Sequence, residues 1–174
     1  LLVAASLLWL HSLRSNNTSQ VDILWPLNHL SVCISMSLDL PEPSVRATLL
    51  LLLVTVWAIR LATHLSVRSA GRGEDRRYAE IRISQGSRFK STSLFVIYLL
   101  QALIALLISA AFLPILESPA RWTNFDTVLF ALMVFGLIYE VAADLQLCAF
   151  LQTGQGPSQR KSQVFNRGLW RLSR

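Results

Sequence analysis

Residues 125–150 read FDTVLFALMVFGLIYEVAADLQLCAF, an apolar run that is interrupted by two acids. About 20 mostly apolar residues are enough for an α-helix to cross the hydrocarbon core of a bilayer. Glu140 and Asp144 stand four positions apart in this run, so on a helix they share one face. A carboxylate at the centre of a bilayer costs roughly 2.5–3.5 kcal/mol. We therefore expect both carboxylates to face the interior of a helix bundle or a water-filled cavity.

The composition of the whole chain is that of a membrane protein. Hydrophobic residues make up 53% of the 174 residues and charged residues only 15%, against about 25% charged residues in ordinary soluble domains. The mean hydropathy is +0.47. Cys33 and Cys148 both lie in apolar runs, and their spacing predicts neither a disulfide framework nor a metal site. These features predict an all-α, polytopic transmembrane helix bundle that lies in a lipid bilayer.

Five apolar segments divide the chain, which we interpret as a single integral membrane domain over residues 1–174. The segments are residues 1–13, 23–40, 46–67, 93–116 and 125–150. The first is too short to span a bilayer by itself, so we expect it to be the remaining end of a truncated helix. Pro26 and Pro114 are expected at or near helix ends, where proline is best tolerated.

The basic residues predict the orientation. Twelve of the sixteen lie in two stretches, seven in residues 68–90 and five after Phe150. Cytoplasmic loops of membrane proteins are rich in Lys and Arg, so the loop 68–92 and the tail 151–174 are predicted to be cytoplasmic. This explains the net charge of +6 without nucleic-acid binding. Within the loop, residues 74–83 are expected to form a short interfacial helix or, equally well, a solvated run of charges.

Other polar side chains fall inside the predicted membrane segments. Trp57, Arg60 and His64 follow one another at helical spacing on the third segment, and Gln101 lies in the fourth. Two interpretations stay open at this point. Arg60 pairs with Glu140 in a purely structural ion pair, or these four residues line a polar cavity that receives a ligand.

A series of short motifs is similar to those of a known family. In chain order they are SQVDILWPL, VWAIRLATHLSVR, GEDRRYAEIR, LLQALIALL, FGLIYEVAADLQLCAF and GLWRLSR. Together they resemble the bacterial, largely uncharacterised branch of the steroid 5-alpha-reductase family of integral membrane proteins. The resemblance covers nearly the whole chain and implies a location in a bacterial inner membrane. In the family the last motif continues into further helices, so we expect residues 1–174 alone to bind cofactor weakly and to be inactive.

The resemblance implies a function and a site. It implies reduction of a lipophilic, enone-type small molecule by hydride transfer from NADPH, and it places the cofactor against the inner half of the fifth segment and the last motif. The implied cofactor residues are Glu140, Asp144, Gln146, Gly168, Trp170 and Arg174. The implied substrate cavity takes in Trp57, Arg60, His64 and Gln101.

No catalytic residue is assigned. The second segment holds Asn28 and His29 where the animal enzymes have an acid, and Trp57 stands at the position of their tyrosine. Isoprenylcysteine carboxyl methyltransferases resemble the family, so a membrane methyltransferase that binds S-adenosylmethionine is the second candidate. A non-enzymatic membrane protein is the third. The sequence does not predict an oligomeric state.

Overall fold

The structure is a computed structural model that describes residues 1–38, 40, 42–71, 73–119, 121–153 and 165–173. These residues form helices α1 (Leu2–Ser15), α2 (Val21–Leu38), α3 (Val45–Ser69), α4 (Arg76–Leu116) and α5 (Asn124–Thr153), then a 3₁₀ segment, Gly168–Ser173. The described residues contain no β-strand. Helices α2, α3, α4 and α5 are each long and apolar enough to cross a membrane. The predicted all-α fold of membrane-spanning helices is confirmed.

The chain divides into two compact units, one of Leu1–Trp122 and one of Thr123–Arg174. The first unit contains α1 to α4. The second contains α5 and the Gly168–Ser173 segment.

Small side chains lie where the helices of the first unit meet. Ala5 of α1, Ala58 of α3 and Ala105 of α4 are completely buried, and Ala102 is nearly so. In a bilayer the hydrophobic effect does not hold helices together, so their association depends on close packing of the helix backbones. Alanine, with its small side chain, permits that close packing. The large apolar side chains are instead widely exposed, as Leu52 of α3 is, which suits contact with lipid tails.

Helix α4 begins earlier than the apolar pattern predicts. Its first part, Arg76–Gln85, is polar and lies inside the predicted loop 68–92, and the apolar residues follow it without a break. Asp75 caps the start of the helix, because its side chain accepts a hydrogen bond from the Arg77 amide. The short helix expected over residues 74–83 is therefore present, and it begins two residues later, directly after Glu74 and Asp75. A π-helical stretch, Leu94–Leu99, adds a register shift that buries Ile97 and Tyr98.

Helix α2 also begins earlier than predicted, at Val21. The amides of Val21 and Asp22 donate to the carbonyls of Thr18 and Ser19, which extends the helix towards its N-terminus. Pro26 consequently lies inside the helix rather than near its end, and it is buried. Because proline has no amide hydrogen, the Asp22 carbonyl loses its helical partner there.

The first unit has two distinct ends. At one end, the turn between α1 and α2 contacts the start of α4, where the Thr18 amide donates to Glu74 Oε1 at 2.9 Å. At the other end, Arg46 at the start of α3 donates to Ser118 Oγ at 3.0 Å and to the Arg121 carbonyl at 3.3 Å. Residues 16–20 and 74–82 therefore lie on the same side of the predicted bilayer.

Candidate functional site

Helix α5 carries three of the predicted cofactor residues in its second half. Its start is fixed by a reciprocal cap in which the Thr123 amide donates to Asp126 Oδ2 at 2.8 Å and the Asp126 amide donates to Thr123 Oγ1 at 3.3 Å. Glu140, Asp144 and Gln146 follow four to six turns later and are all half-buried. Phe135, by contrast, exposes 62% of its surface.

The Gly168–Ser173 segment packs against this half of α5. Gln146 Oε1 accepts a hydrogen bond from the Leu169 amide at 2.9 Å. The indole Nε1 of Trp170 donates to the Ala143 carbonyl, also at 2.9 Å; a carbonyl has two lone pairs and can accept a second bond beside its helical one. Phe165 stacks on Phe150 with ring centroids 4.7 Å apart. Ala143, Gln146 and Phe150, spaced three and four positions apart, therefore form the face of α5 that holds the last described segment.

Gly168 is the residue that permits this contact. Its φ angle of +59° lies in the left-handed region, which residues with a Cβ rarely adopt. A Cβ added to Gly168 would also collide with the carboxamide of Gln146. The backbone conformation therefore favours glycine at position 168, and the end of the Gln146 side chain would have to move to admit a Cβ there.

Three of the six predicted cofactor residues, Gln146, Gly168 and Trp170, thus lie close together at the second half of α5. Gln146 and Gly168 touch directly, and Trp170 reaches the residue next to Asp144. Arg174 lies outside the described residues. Glu140 and Arg60 belong to different units, and their pairing stays a prediction.

In the first unit, Trp57 belongs to a cluster of rings. The ring of His29 in α2 lies 5.1 Å from that of Trp25 in an edge-on arrangement and 5.9 Å from that of Trp57 in α3. His29 is buried and forms a hydrogen bond between its Nδ1 and Ser109 Oγ of α4 at 2.7 Å. Arg60 and His64 continue along α3 one and two turns further and are half-buried. A polar group of α2 therefore meets one of α4 in the interior of this unit, beside the Trp57 ring of α3.

Gln101 takes part in a second cluster, which links α2 to both parts of α4. Tyr78 is buried and donates its hydroxyl hydrogen to Asp22 Oδ1 at 2.6 Å, and it also forms a hydrogen bond with Gln101. Arg77 Nη2 donates to the other oxygen of Asp22 at 3.3 Å. The motif residues of GEDRRY are thus tied to the first turn of α2.

Glu74 and Arg82 form the centre of a third cluster. The guanidinium of Arg82 donates to the two oxygens of Glu74 at 2.7 and 2.9 Å, and the two side chains are only 10% and 29% exposed. Arg82 also donates to Thr18 Oγ1 at 3.2 Å and lies over the ring of Phe89 at 4.2 Å. This is a bidentate pair of the kind that combines strength with fixed geometry.

Glu74 and its neighbour Asp75 are both held in their charged form. Burial raises the pKa of Glu74, but the hydrogen bonds from Arg82 and Thr18 outweigh it and leave the pKa below its ordinary value. The pKa of Asp75 is lowered chiefly by its hydrogen bonds from Arg77. Both carboxylates therefore remain ionised at neutral pH and contribute to the fold.

No pattern in the sequence indicated that Thr18, Asp22 and Tyr78 take part in these clusters. Thr18 and Glu74 are separated by 56 positions in the chain, so no local spacing indicates their contact. One signal was available: GEDRRY places two acids directly before a helix, and acids in that place cap it.

Comparison with known proteins places the chain in a family. The family profile described as "Protein of unknown function (DUF1295)" matches residues 8–174. The chain belongs to this family. The DUF1295 match includes all of the first unit from residue 8, the whole second unit and every predicted site residue. No curated protein matches the chain, and no solved structure matches it.

Proposed function

We propose that this DUF1295 protein is a membrane reductase that uses NADPH to reduce a lipophilic, enone-type small molecule, as its resemblance to steroid 5-alpha-reductases implies. The proposal rests on the second unit. Its principal support is the contact of Gln146 and Ala143 with residues 169 and 170. This contact fixes an aromatic, basic segment beside the helix turn that contains Asp144.

The donors and acceptors of this unit suit the nicotinamide and ribose part of such a cofactor. Carboxylates accept hydrogen bonds from amide and hydroxyl groups, which is the role that we assign to Glu140 and Asp144. The oxygen of Gln146 is engaged by the Leu169 amide, so its amide hydrogens are the groups that it offers to a ligand. NADPH, when bound, supplies a hydride.

The cofactor phosphates require cations rather than carboxylates. Arg167 and Arg171 flank the start of the 3₁₀ segment, and both are exposed. Guanidinium groups bind phosphate with paired hydrogen bonds. We assign to these two residues, together with Arg174, the phosphate end of the cofactor, while Gly168 and Trp170 keep the segment in place.

We assign the binding of the substrate to residues of the first unit. Trp57, Arg60 and His64 lie on one face of α3, and Gln101 lies on α4. They combine apolar surface with hydrogen-bond donors, which is the usual character of a small-molecule pocket. A tryptophan has no acidic hydroxyl group to protonate a carbonyl oxygen, so Trp57 is assigned to substrate contact alone.

The proposal is tested by calorimetric binding to the full-length protein in lipid nanodiscs. Titrations with NADPH, NADH and S-adenosylmethionine separate the candidates. We expect NADPH to bind, and NADH, which lacks the additional phosphate, to bind more weakly. Binding of S-adenosylmethionine without NADPH would favour the methyltransferase, and binding of neither would favour a non-enzymatic role.

A further inference from the structure

A groove opens on the first unit at the end where α1, α2 and α3 meet. Its volume is about 390 Å³, a size typical of small-ligand pockets. None of the described lining residues carries a charge. The polar part of the lining, which we call the rim, consists of Asn17, Ser19, Gln20, Ser66 and Ser69.

The rest of the lining is an apolar wall. Ile23, Leu24 and Leu27 of α2 belong to it, together with Leu8 of α1. Spacings of three and four positions place the three α2 residues on one face of the helix. Helix α2 is long and apolar enough to cross a membrane, so the wall continues from the rim towards the bilayer interior. A lipid with a small polar head complements such a lining.

The charges near the groove are already balanced by one another. Glu74 is paired with Arg82. The pKa of Asp75 is lowered by its hydrogen bonds from Arg77 and, to a smaller extent, by the charge of Arg68 in the last turn of α3. A phosphate or ammonium group in the groove would lose hydration without an opposite charge among the described lining residues to compensate for it. The groove therefore favours a neutral head.

The end of α3 presents hydrogen-bond acceptors to the groove. The Ser66 carbonyl is engaged, because it accepts from the Ala70 amide at 3.0 Å and from Ser69 Oγ at 3.1 Å. Ser66 Oγ donates its own hydrogen to the Ala62 carbonyl at 2.7 Å. Since both serine hydroxyls use their hydrogens within the helix, their oxygen lone pairs are the groups that they offer to a ligand.

The side of the rim that precedes α2 presents donors instead. The side-chain oxygen of Asn17 accepts from the Ser19 amide at 3.0 Å, so Asn17 offers its amide hydrogens to a ligand. Ser19 Oγ accepts from the Asp75 amide at 2.7 Å, and its hydroxyl hydrogen can be donated. A hydroxyl group of a ligand accepts one hydrogen bond while it donates another, so it suits both sides of the rim.

We propose that this groove binds diacylglycerol, a neutral lipid whose head is a single hydroxyl group. The hydroxyl oxygen accepts from the Asn17 amide, and the hydroxyl hydrogen is donated to Ser66 or Ser69 Oγ. Gln20 lies next to the apolar wall, where its amide donates to an ester carbonyl of the lipid. One acyl chain begins along the apolar wall, and the rest of the lipid stays in the bilayer. This inference is independent of the proposed reductase activity.

Native mass spectrometry of the full-length protein, released from nanodiscs that contain the test lipids, tests the proposal. Dioleoylglycerol should be retained about three- to tenfold better than its methyl ether, the effect of one hydrogen bond, because the ether has the same chains but no hydrogen to donate. Dioleoylglycerol should also be retained better than dioleoylphosphatidic acid, whose head is charged, and better than oleyl alcohol, which has no ester group.

Variants of the rim and of the wall locate the binding. Ser66→Ala combined with Ser69→Ala should weaken retention of dioleoylglycerol about three- to tenfold and leave retention of the methyl ether unchanged. Ser84→Ala is the matched control, because Ser84 also donates to a carbonyl of its own helix but lies outside the groove. Leu27→Trp fills the groove and should reduce retention of both lipids, whereas Leu52→Trp, at an exposed position of α3, should not.

Two results would overturn the proposal. One is retention of the methyl ether, the phosphatidic acid or oleyl alcohol as strong as that of dioleoylglycerol. The other is retention of dioleoylglycerol by the double serine variant and by Leu27→Trp that equals retention by their controls.

Discussion

Gln146 and Gly168 are fitted to each other: the carboxamide of Gln146 occupies the space in which a side chain at position 168 would begin. The same carboxamide accepts the amide hydrogen of the next residue, Leu169. This relationship fixes the last described segment of the chain against α5, and it makes the position of Trp170 depend on one glycine.

The first prediction tests this relationship with Gly168→Ala. The left-handed conformation costs a residue with a Cβ about 1–2 kcal/mol, and the Gln146 carboxamide, which accepts the Leu169 amide, would have to shift to admit the Cβ. We expect the segment to detach from α5, which limited proteolysis after Phe165 would report. Gly136→Ala is the matched control, because a Cβ there meets open space. Equal protease resistance of the two variants would contradict the described packing.

The second prediction concerns the ion pair of Glu74 and Arg82. Glu74→Gln should lower the free energy of unfolding by about 1.5–3 kcal/mol, the usual effect of losing a hydrogen bond to a charged group, and thermal unfolding in detergent would measure it. Glu80→Gln serves as the control. It breaks the ion pair between Glu80 and Arg76, in which the Arg76 side chain is 89% exposed and the Glu80 side chain 59% exposed. Surface pairs of this kind contribute at most about 1 kcal/mol to stability. A larger loss of stability for Glu80→Gln than for Glu74→Gln would contradict the conclusion that the Glu74–Arg82 pair stabilises the fold.

The third prediction is a dependence of stability on pH. The pKa values of Glu74 and Asp75 are lowered in the folded protein, against about 4.3 and 3.9 in unfolded chains. Their contribution is therefore complete above about pH 5, and it is lost as the pH falls through the lower folded values. The stability difference between wild type and Glu74→Gln should shrink between pH 6 and about pH 3. A difference that is constant over this range would exclude an ionised Glu74 as its source.

The sequence predicted the helices better than it predicted their contacts. Apolar runs are visible in composition, so α2, α3 and α5 could be located from hydropathy alone. The start of α4 at Arg76 could not be located from hydropathy, because its first turns are polar and show no apolar pattern. Only the cap at Asp75 indicates where this helix begins. The bond between Thr18 and Glu74 and that between Gln146 and Leu169 join distant parts of the chain. Such contacts arise from packing, which local spacing does not encode.

The fourth prediction concerns the orientation in the membrane. The basic residues predict that the end with residues 74–82 is cytoplasmic, and the Arg46–Ser118 contact lies at the other end of the unit. In a chain whose two native cysteines are replaced by alanine, Glu117→Cys should react with a membrane-impermeant maleimide from outside the cell. Ser87→Cys should react only after the membrane is opened. Labelling of Ser87→Cys in intact cells would contradict the predicted orientation and favour the opposite one.

The central claim is that the second half of α5 and the Gly168–Ser173 segment bind NADPH, and the affinity of Asp144→Ala for NADPH tests it most directly. Asp126→Ala is the matched control, because it removes the same side chain from the same helix at the distant N-terminal cap. In full-length protein, calorimetry should show a loss of about 1–3 kcal/mol in binding free energy for Asp144→Ala, as expected when a hydrogen-bond acceptor is deleted, and no change for Asp126→Ala. NADPH affinities that are equal in wild type and both variants would contradict the claim and leave Asp144 a structural role alone.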